Sequence, residues 1–198
     1  MSATDITACI VSRGNVDLAP IIDSLIFERV IVWDNSTRPF DVKTYGRYLA
    51  ADEADTDLVY FQDDDVIVPA QAQEQLVERH QNGVLISNME DTRNRSEFPE
   101  LTWVGWGAIT DRDLYRQAFR RWQQSGGQTT TSDFRLVGCD IVFSILNPDS
   151  RRVDLGSGHL DYAFGEDRAY RTPGFQQIKH RFYEAALTLA NELEEVTC

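Results

Sequence analysis

Short β-rich apolar runs alternate with helix-length stretches through the first ninety residues. Nothing else in the sequence constrains the fold as strongly. Residues 6–12 (ITACIVS), 30–33 (VIVW), 58–61 (LVYF) and 84–87 (VLIS) read as buried strands. Residues 18–27, 42–51 and 70–81, which lie between them, read as helices. Strands that alternate with helices predict an α/β fold with a mostly parallel central sheet covered on both faces. The 198 residues are expected to form one domain. Such sheets hold ligands beyond the carboxyl ends of their strands, so the residues that follow each strand are the first place to look for a site.

Those residues are polar in every case. Ser12-Arg13-Gly14-Asn15 follows the first strand, Asp34-Asn35-Ser36 the second and Gln62-Asp63-Asp64-Asp65 the third. Three adjacent carboxylates closing a buried strand repel one another, and a hard divalent cation relieves that repulsion. Mg²⁺ or Mn²⁺ takes one or two carboxylates together with substrate phosphate oxygens and water. The triplet therefore points to a metal that serves a phosphorylated substrate.

The second half is less regular. Residues 102–104 read as a short strand before Gly105-Trp106-Gly107. Residues 111–122 read as a helix capped by Thr110, with Leu114, Tyr115, Ala118, Phe119 and Trp122 on its apolar face. Residues 126–132 (GGQTTTS) read as a loop. Residues 137–146 (VGCDIVFSIL) are largely apolar, with Asp140 as the single aspartate. A lone acid in such a run is costly unless it is partnered or functional, which makes Asp140 the candidate for the reacting centre. Residues 177–196 read as an amphipathic helix with Ile178, Phe182, Ala185, Leu189, Leu193 and Val196 on one stripe. His80 is expected on the surface of the third helix, and Arg151 and Arg152 in a solvated loop.

Charge and motifs exclude several classes. With 32 acidic and 19 basic residues the net charge is −13, which argues against a broad face that neutralises nucleic-acid phosphates. No apolar run approaches the roughly 18 residues of a membrane span. Three cysteines form neither a paired framework nor a zinc motif. Together with a start that lacks signal-peptide character, they predict an intracellular, cytoplasmic protein. There is no phosphate-binding G-x-x-x-x-G-K-[ST], no G-x-G-x-x-G after a strand and no G-x-S-x-G elbow.

The strand-terminal DDD after VYFQ resembles the D-x-D motif of glycosyltransferases of the GT-A fold. The chain is most similar to the exostosin-like transferase domain and to small family-2-type enzymes. IVWDNS resembles their segment at the nucleotide base, and QDDDVIV their metal motif. GWGAITDRDLYRQAF resembles the strand-to-helix segment that shapes the sugar pocket. GCDIVFSILN resembles the helix that carries the catalytic aspartate, and GFQQIKHRFYEAA a terminal stretch whose histidine closes on the metal and diphosphate.

The resemblance implies a metal-dependent transferase that moves a sugar from a nucleotide sugar, most readily a UDP-sugar, to an acceptor hydroxyl. Residues 1–90 would form the nucleotide-binding part and 91–198 the acceptor and catalytic part. Asp65 would ligate Mn²⁺ or Mg²⁺ directly, with Asp63 acting through water or the ribose and Asp64 beside the donor. His180 would be a further ligand, with His159 as its rival. Asp34 or Asn35 would hold the base, with Arg13 and Arg47 near base or ribose. Arg171, Lys179 and Arg181 would face the diphosphate. Trp103 and Trp106 would offer a stacking surface to a sugar that approaches Gly105 and Gly107. Asp140 would be the general base of an inverting reaction or the charge stabiliser of a retaining one. The family's usual acidic pair is Cys139-Asp140 here, which puts acceptor or sugar contacts in question. Similar compact transferases occur in bacteriophages, where hydroxymethylated DNA bases or virion proteins are acceptors. A second subunit could supply acceptor contacts that a chain this short lacks. A nucleotidyltransferase and an inactive cation- or sugar-binding module are the alternatives.

Overall fold

The computed structural model describes residues 3–89, 97–147, 149–156, 158–159 and 169–197. Six strands form one sheet: β1 (Ile6–Ser12), β2 (Arg29–Asp34), β3 (Leu58–Asp63), β5 (Leu85–Asn88), β6 (Trp106–Asp111) and β7 (Ser150–Val153), in the order β2-β1-β3-β6-β5-β7. A two-stranded ribbon pairs β4 (Val66–Ile67) with β8 (Gly158–His159). β2, β1 and β3 are parallel, as are β5 and β7. β6 runs antiparallel to both of its neighbours, β3 and β5. One sheet thus draws strands from both halves of the chain. Every residue of β1 is buried, as expected for a central strand covered on both faces.

The helices are α1 (Ala19–Ser24), α2 (Gly46–Glu53), α3 (Ala70–Arg79), α4 (Arg112–Gln124), α5 (Cys139–Leu146) and α6 (Phe175–Thr197). None of the described helices is long and apolar enough to cross a membrane. The main core packs α2, α4, α5 and α6 on one face of the sheet. An aromatic cluster of Tyr48, Tyr115, Phe119, Phe134 and Phe143 lies at its centre.

The structure corrects several sequence expectations. Residues 102–104 are not a strand, and the strand forms at Trp106–Asp111 instead. Thr110 does not cap α4. It is buried in β6, and Asp111 takes the cap position without a side-chain cap bond. Arg151 and Arg152 belong to β7 rather than to a loop. The buried stripe of α6 is turned by about one residue. Lys179, Phe182, Tyr183, Ala186 and Leu189 face inward, whereas Leu193 is exposed. The stripe turns because the Tyr183 ring packs on Phe98 while its hydroxyl reaches Glu100.

His80 is also buried rather than on the surface. Asp111 Oδ2 lies 3.9 Å from its Nε2. Burial lowers its pKa, with Asp111 and a hydrogen bond to the Val84 backbone opposing. The folded state therefore favours the neutral ring, while the unfolded chain takes up a proton near about pH 6.5. This contribution to stability is complete above that value and declines as the pH falls through the lowered folded-state pKa. The melting temperature is expected to fall more between pH 7.5 and 5.5 for the wild type than for His80→Phe. Equal falls in melting scans at the two pH values would refute this.

Candidate active site

The C-terminal ends of β1, β2 and β3 open into a cavity of about 1120 Å³. The parallel register sets Ser12 beside Asp34 and Val11 beside Asp63, so three polar strand exits meet on one edge. Because β6 runs the other way, its entry rather than its exit reaches this edge. It brings Trp103, Gly105 and Trp106 to the cavity.

The acidic turn after β3 is braced from beneath. Buried Gln62 donates from Nε2 to the Val66 carbonyl (2.7 Å) and accepts from the Tyr60 hydroxyl (2.5 Å), clamping both ends of the Asp63–Asp65 turn. The Asp63 N–H donates to the Gly105 carbonyl (2.8 Å). A Cβ on Gly105 would lie 2.1 Å from Asp63 Oδ2, so only glycine lets this backbone pass the carboxylate. Asp64 is buried and accepts from the Arg13 backbone N–H (2.9 Å), with the Arg13 Nη2 3.3 Å from its other oxygen. Asp63 and Asp65 line the same cavity.

At the centre lies Arg47, whose side chain is 1% exposed. Its Nη2 donates to Asp63 Oδ1 at 2.5 Å, its Nε to the Thr44 carbonyl at 3.2 Å, and its Nη1 lies 3.6 Å from Asp140 Oδ2. Asp140, on the first turn of α5, also accepts from the Tyr48 hydroxyl at 2.8 Å. One guanidinium therefore joins the acidic turn to the candidate catalytic aspartate. Burial opposes its charge, but Asp140 and Asp63 outweigh that and raise its pKa. Burial pushes Asp63 up to about 7, with Arg47 opposing and the carboxylates of Asp65, Asp140 and Asp64 adding to the rise. A five-residue π-helical turn, Phe134–Gly138, precedes α5 and places Leu136 and Val137 on the cavity wall. The Thr44 hydroxyl donates to the carbonyls of Arg135 and Leu136 (both 3.1 Å), tying this turn to the residues before α2.

Eleven of the sequence-derived candidates line the cavity: Arg13, Asn35, Arg47, Asp63, Asp64, Asp65, Trp103, Trp106, Asp140, Arg171 and Lys179. Asn35 does so with its side chain engaged locally, donating to the Lys43 carbonyl and accepting from the Val42 N–H. Asp34 is similarly turned to the Ser36 N–H and hydroxyl. Asp34, Gly107, His180 and Arg181 are not among the lining residues. Gly107 (φ +93°) instead makes room for Tyr60 and Val68. Arg181 pairs with Asp133 at 2.5 Å on the far side of α6. His180 is exposed with its ring against Phe98, while Lys179, one residue earlier, turns inward. The Lys179 ammonium sits 4.1 Å from the Phe98 ring centroid and 4.7 Å from that of Trp103. Burial lowers it to about 8, with Glu97 opposing. The backbone of His159 pairs with Val66, the residue after Asp65. Tyr48 and Thr44 carry no motif signal, and only α2 and the residues before it reveal them.

No family model matches the sequence, and no curated protein matches it. Solved structures share its fold. The crystal structure of glucosyl-3-phosphoglycerate synthase from Mycobacterium tuberculosis in complex with Mg²⁺ and uridine diphosphate matches with a TM-score of 0.56 and 16% identity, over 90% of this chain and 79% of that one. The same enzyme with Mn²⁺, UDP-glucose and phosphoglyceric acid matches with a TM-score of 0.53 and 16% identity, over 94% and 79%.

Proposed function

We propose that the protein transfers a sugar from a nucleotide sugar, UDP-linked in the first instance, to an acceptor hydroxyl. The observation that carries this reading is the Asp63–Arg47–Asp140 link, which sets the acidic strand exit and the buried helix acid against one cavity. The fold shared with UDP-bound transferases supports it.

The acidic turn suits a divalent cation. Among the described residues no three His, Cys, Asp or Glu side chains form a cage for a metal. One or two carboxylates of the turn, with phosphate oxygens and water in the remaining positions, would suffice for a hard cation. Asp65 would hold Mn²⁺ or Mg²⁺, with Asp63 beside it. The bound ion would supply Lewis-acid stabilisation of the departing diphosphate.

The chain's own groups do the rest. Arg13 fixes Asp64 and so the far side of the turn. Arg171, at the cavity rim, adds positive charge where the diphosphate leaves. The acceptor oxygen bonds to the anomeric carbon as that carbon's bond to the diphosphate oxygen breaks, and the hydroxyl proton departs with the diphosphate. Asp140 accepts a hydrogen bond from the Tyr48 hydroxyl, and the Arg47 guanidinium lies 3.6 Å from its other oxygen. That favours the role of charge stabiliser for an oxocarbenium-like centre over that of proton acceptor, and hence retention, in keeping with the exostosin-like resemblance.

Thermal unfolding with UDP, GDP and dTDP, each with and without Mn²⁺, tests the reading. A ligand at about 100 times its Kd stabilises by roughly 2.7 kcal/mol, a rise of roughly 5–11 °C at this chain length. The expected result is a rise that needs both UDP and Mn²⁺ and is lost in Asp65→Ala. A rise with Mn²⁺ alone would refute the transferase and favour a cation-binding module. A response to nucleoside triphosphates with pyrophosphate release would favour a nucleotidyltransferase.

A further inference from the structure

We infer that the β2 edge of the central sheet is the surface on which two copies of this chain join, by antiparallel pairing of β2 with itself about a two-fold axis. This goes beyond the transferase reading and does not rest on it.

The two edges of the sheet are built differently. β7, at one end, is four residues long, and two of the four are arginines. Short length and long charged side chains keep a sheet edge from pairing with another chain. β2, at the other end, runs for six residues in unbroken register with β1 and carries no proline, lysine or bulge. Its central residues Val30, Ile31, Val32 and Trp33 are apolar and half-buried. Among the described residues, no backbone hydrogen bond joins these four to anything but β1. A strand bonded on one side turns the N–H and C=O groups of alternate residues outwards, which is a template for a further strand. Pairing of β2 with β7 of another copy would leave free edges and grow without limit. The arginines of β7 stand against that, so the pairing closes at two copies.

The strand is also complementary to itself. A two-fold interface uses the same patch on both copies. Between antiparallel strands the axis passes beside a residue that faces its own counterpart, and at the centre of β2 that residue is Ile31 or Val32. Either choice sets the apolar centre of one strand against that of the other. Either also brings Arg29 within one residue of Asp34 of the other copy, whereas parallel pairing would set Arg29 on Arg29 and Asp34 on Asp34. Arg29 is exposed, and its pair with the exposed Asp55 at 3.2 Å is a surface contact that is easily exchanged. Apolar side chains flank the strand as well. Ile22, on α1 before β2, and Phe40, 76% exposed on the loop after it, are two of the four large apolar side chains exposed among the described residues. Antiparallel pairing brings the connection before β2 of one copy and the connection after β2 of the other to the same end. The loop of Phe40 also supplies Asp41 and Lys43 to the cavity wall, so the two cavities lie at opposite ends of the joined strands.

Six residues a side make a small interface, so a micromolar dissociation constant is expected. Sedimentation velocity and light scattering over about 1–300 µM protein span that range. The mass of the wild type is expected to rise from 22.6 kDa to twice that value with concentration. Val32→Lys sets two ammonium groups close to the axis and should weaken the pair at least about a hundredfold. Val32→Thr, which stays β-branched and uncharged, should still pair. Arg29→Glu should weaken the pair about tenfold by setting an acid near Asp34 of the other copy. Phe40→Ser should weaken it by a smaller factor. Arg29 and Phe40 are exposed, so these two variants should melt as the wild type does, and they carry the test should Val32→Lys fail to fold. Amides of residues 29–34 should exchange more slowly with solvent as the wild type is concentrated. Three results would each overturn the inference. One is a wild type that stays at 22.6 kDa throughout. Another is a mass that keeps growing past two copies. The third is a dimer as tight in the folded β2 and Phe40 variants as in the wild type, which would place the contact on another surface.

Discussion

Arg47→Met is expected to destabilise the protein by about 3–5 kcal/mol, the usual cost of leaving a buried charge without its partner. At this chain length that is a fall in melting temperature on the order of 6–20 °C. The methionine fills the space but leaves Asp63 and Asp140 facing each other with no cation between them. Asp63 keeps about 28% of its side chain exposed, so water screens part of the repulsion and the lower end of the range is expected. The double variant Arg47→Met/Asp140→Asn removes one of the two stranded charges and is expected to recover part of the loss. Urea and thermal unfolding of wild type and both variants measure this. A single variant within 1 kcal/mol of the wild type, or a double variant no better than the single, would mean that the guanidinium does not hold the two acids together.

The second large effect falls on turnover. Asp140→Asn keeps the size of the side chain and an oxygen for the Tyr48 hydroxyl but removes the negative charge at the proposed reacting centre. Release of UDP from a UDP-sugar in the presence of acceptor is expected to fall by about 10²–10⁴, the range for removing a positioned catalytic group. The UDP–Mn²⁺ stabilisation should be unchanged. Tyr48→Phe removes one hydrogen bond to the carboxylate, worth about 1.5–3 kcal/mol to a charged acceptor, and should lower the rate less. Turnover by Asp140→Asn within tenfold of the wild type would remove Asp140 from the chemistry.

The strands and the acidic turn were legible because local pattern determines them. β1, β2 and β3 are dense in β-branched and aromatic residues, and a polar cluster at each strand exit of a parallel sheet falls on one edge by geometry. Asp140 was legible as the one acid in an apolar run. Arg47 was named but its partners were not, because a helix residue meets acids from a strand and a distant helix only through tertiary packing. That Lys179 reaches the cavity and His180, named on the resemblance, does not has a simpler cause. One residue on a helix is a rotation of about 100°, and apolar periodicity alone could not register that turn while Tyr183 and the stem of Lys179 counted as polar. The sequence also gave no sign that Asp34 and Asn35 would bind their own turns, since Asx-type bonding serves local structure and ligand binding equally well.

The one reversed strand has a consequence for how such a molecule can be retuned. β1, β2 and β3 reach the shared edge as they leave the sheet, so the turns that follow them form one wall of the cavity. β6 reaches the same edge as it enters, so the segment that shapes the opposite wall, with Trp103 and Gly105, precedes a strand. The two walls thus belong to connections that can be exchanged independently. Grafting a different 97–105 segment, with Gly105 kept for its contact with Asp63, would reshape one wall while leaving the turns of the other in place.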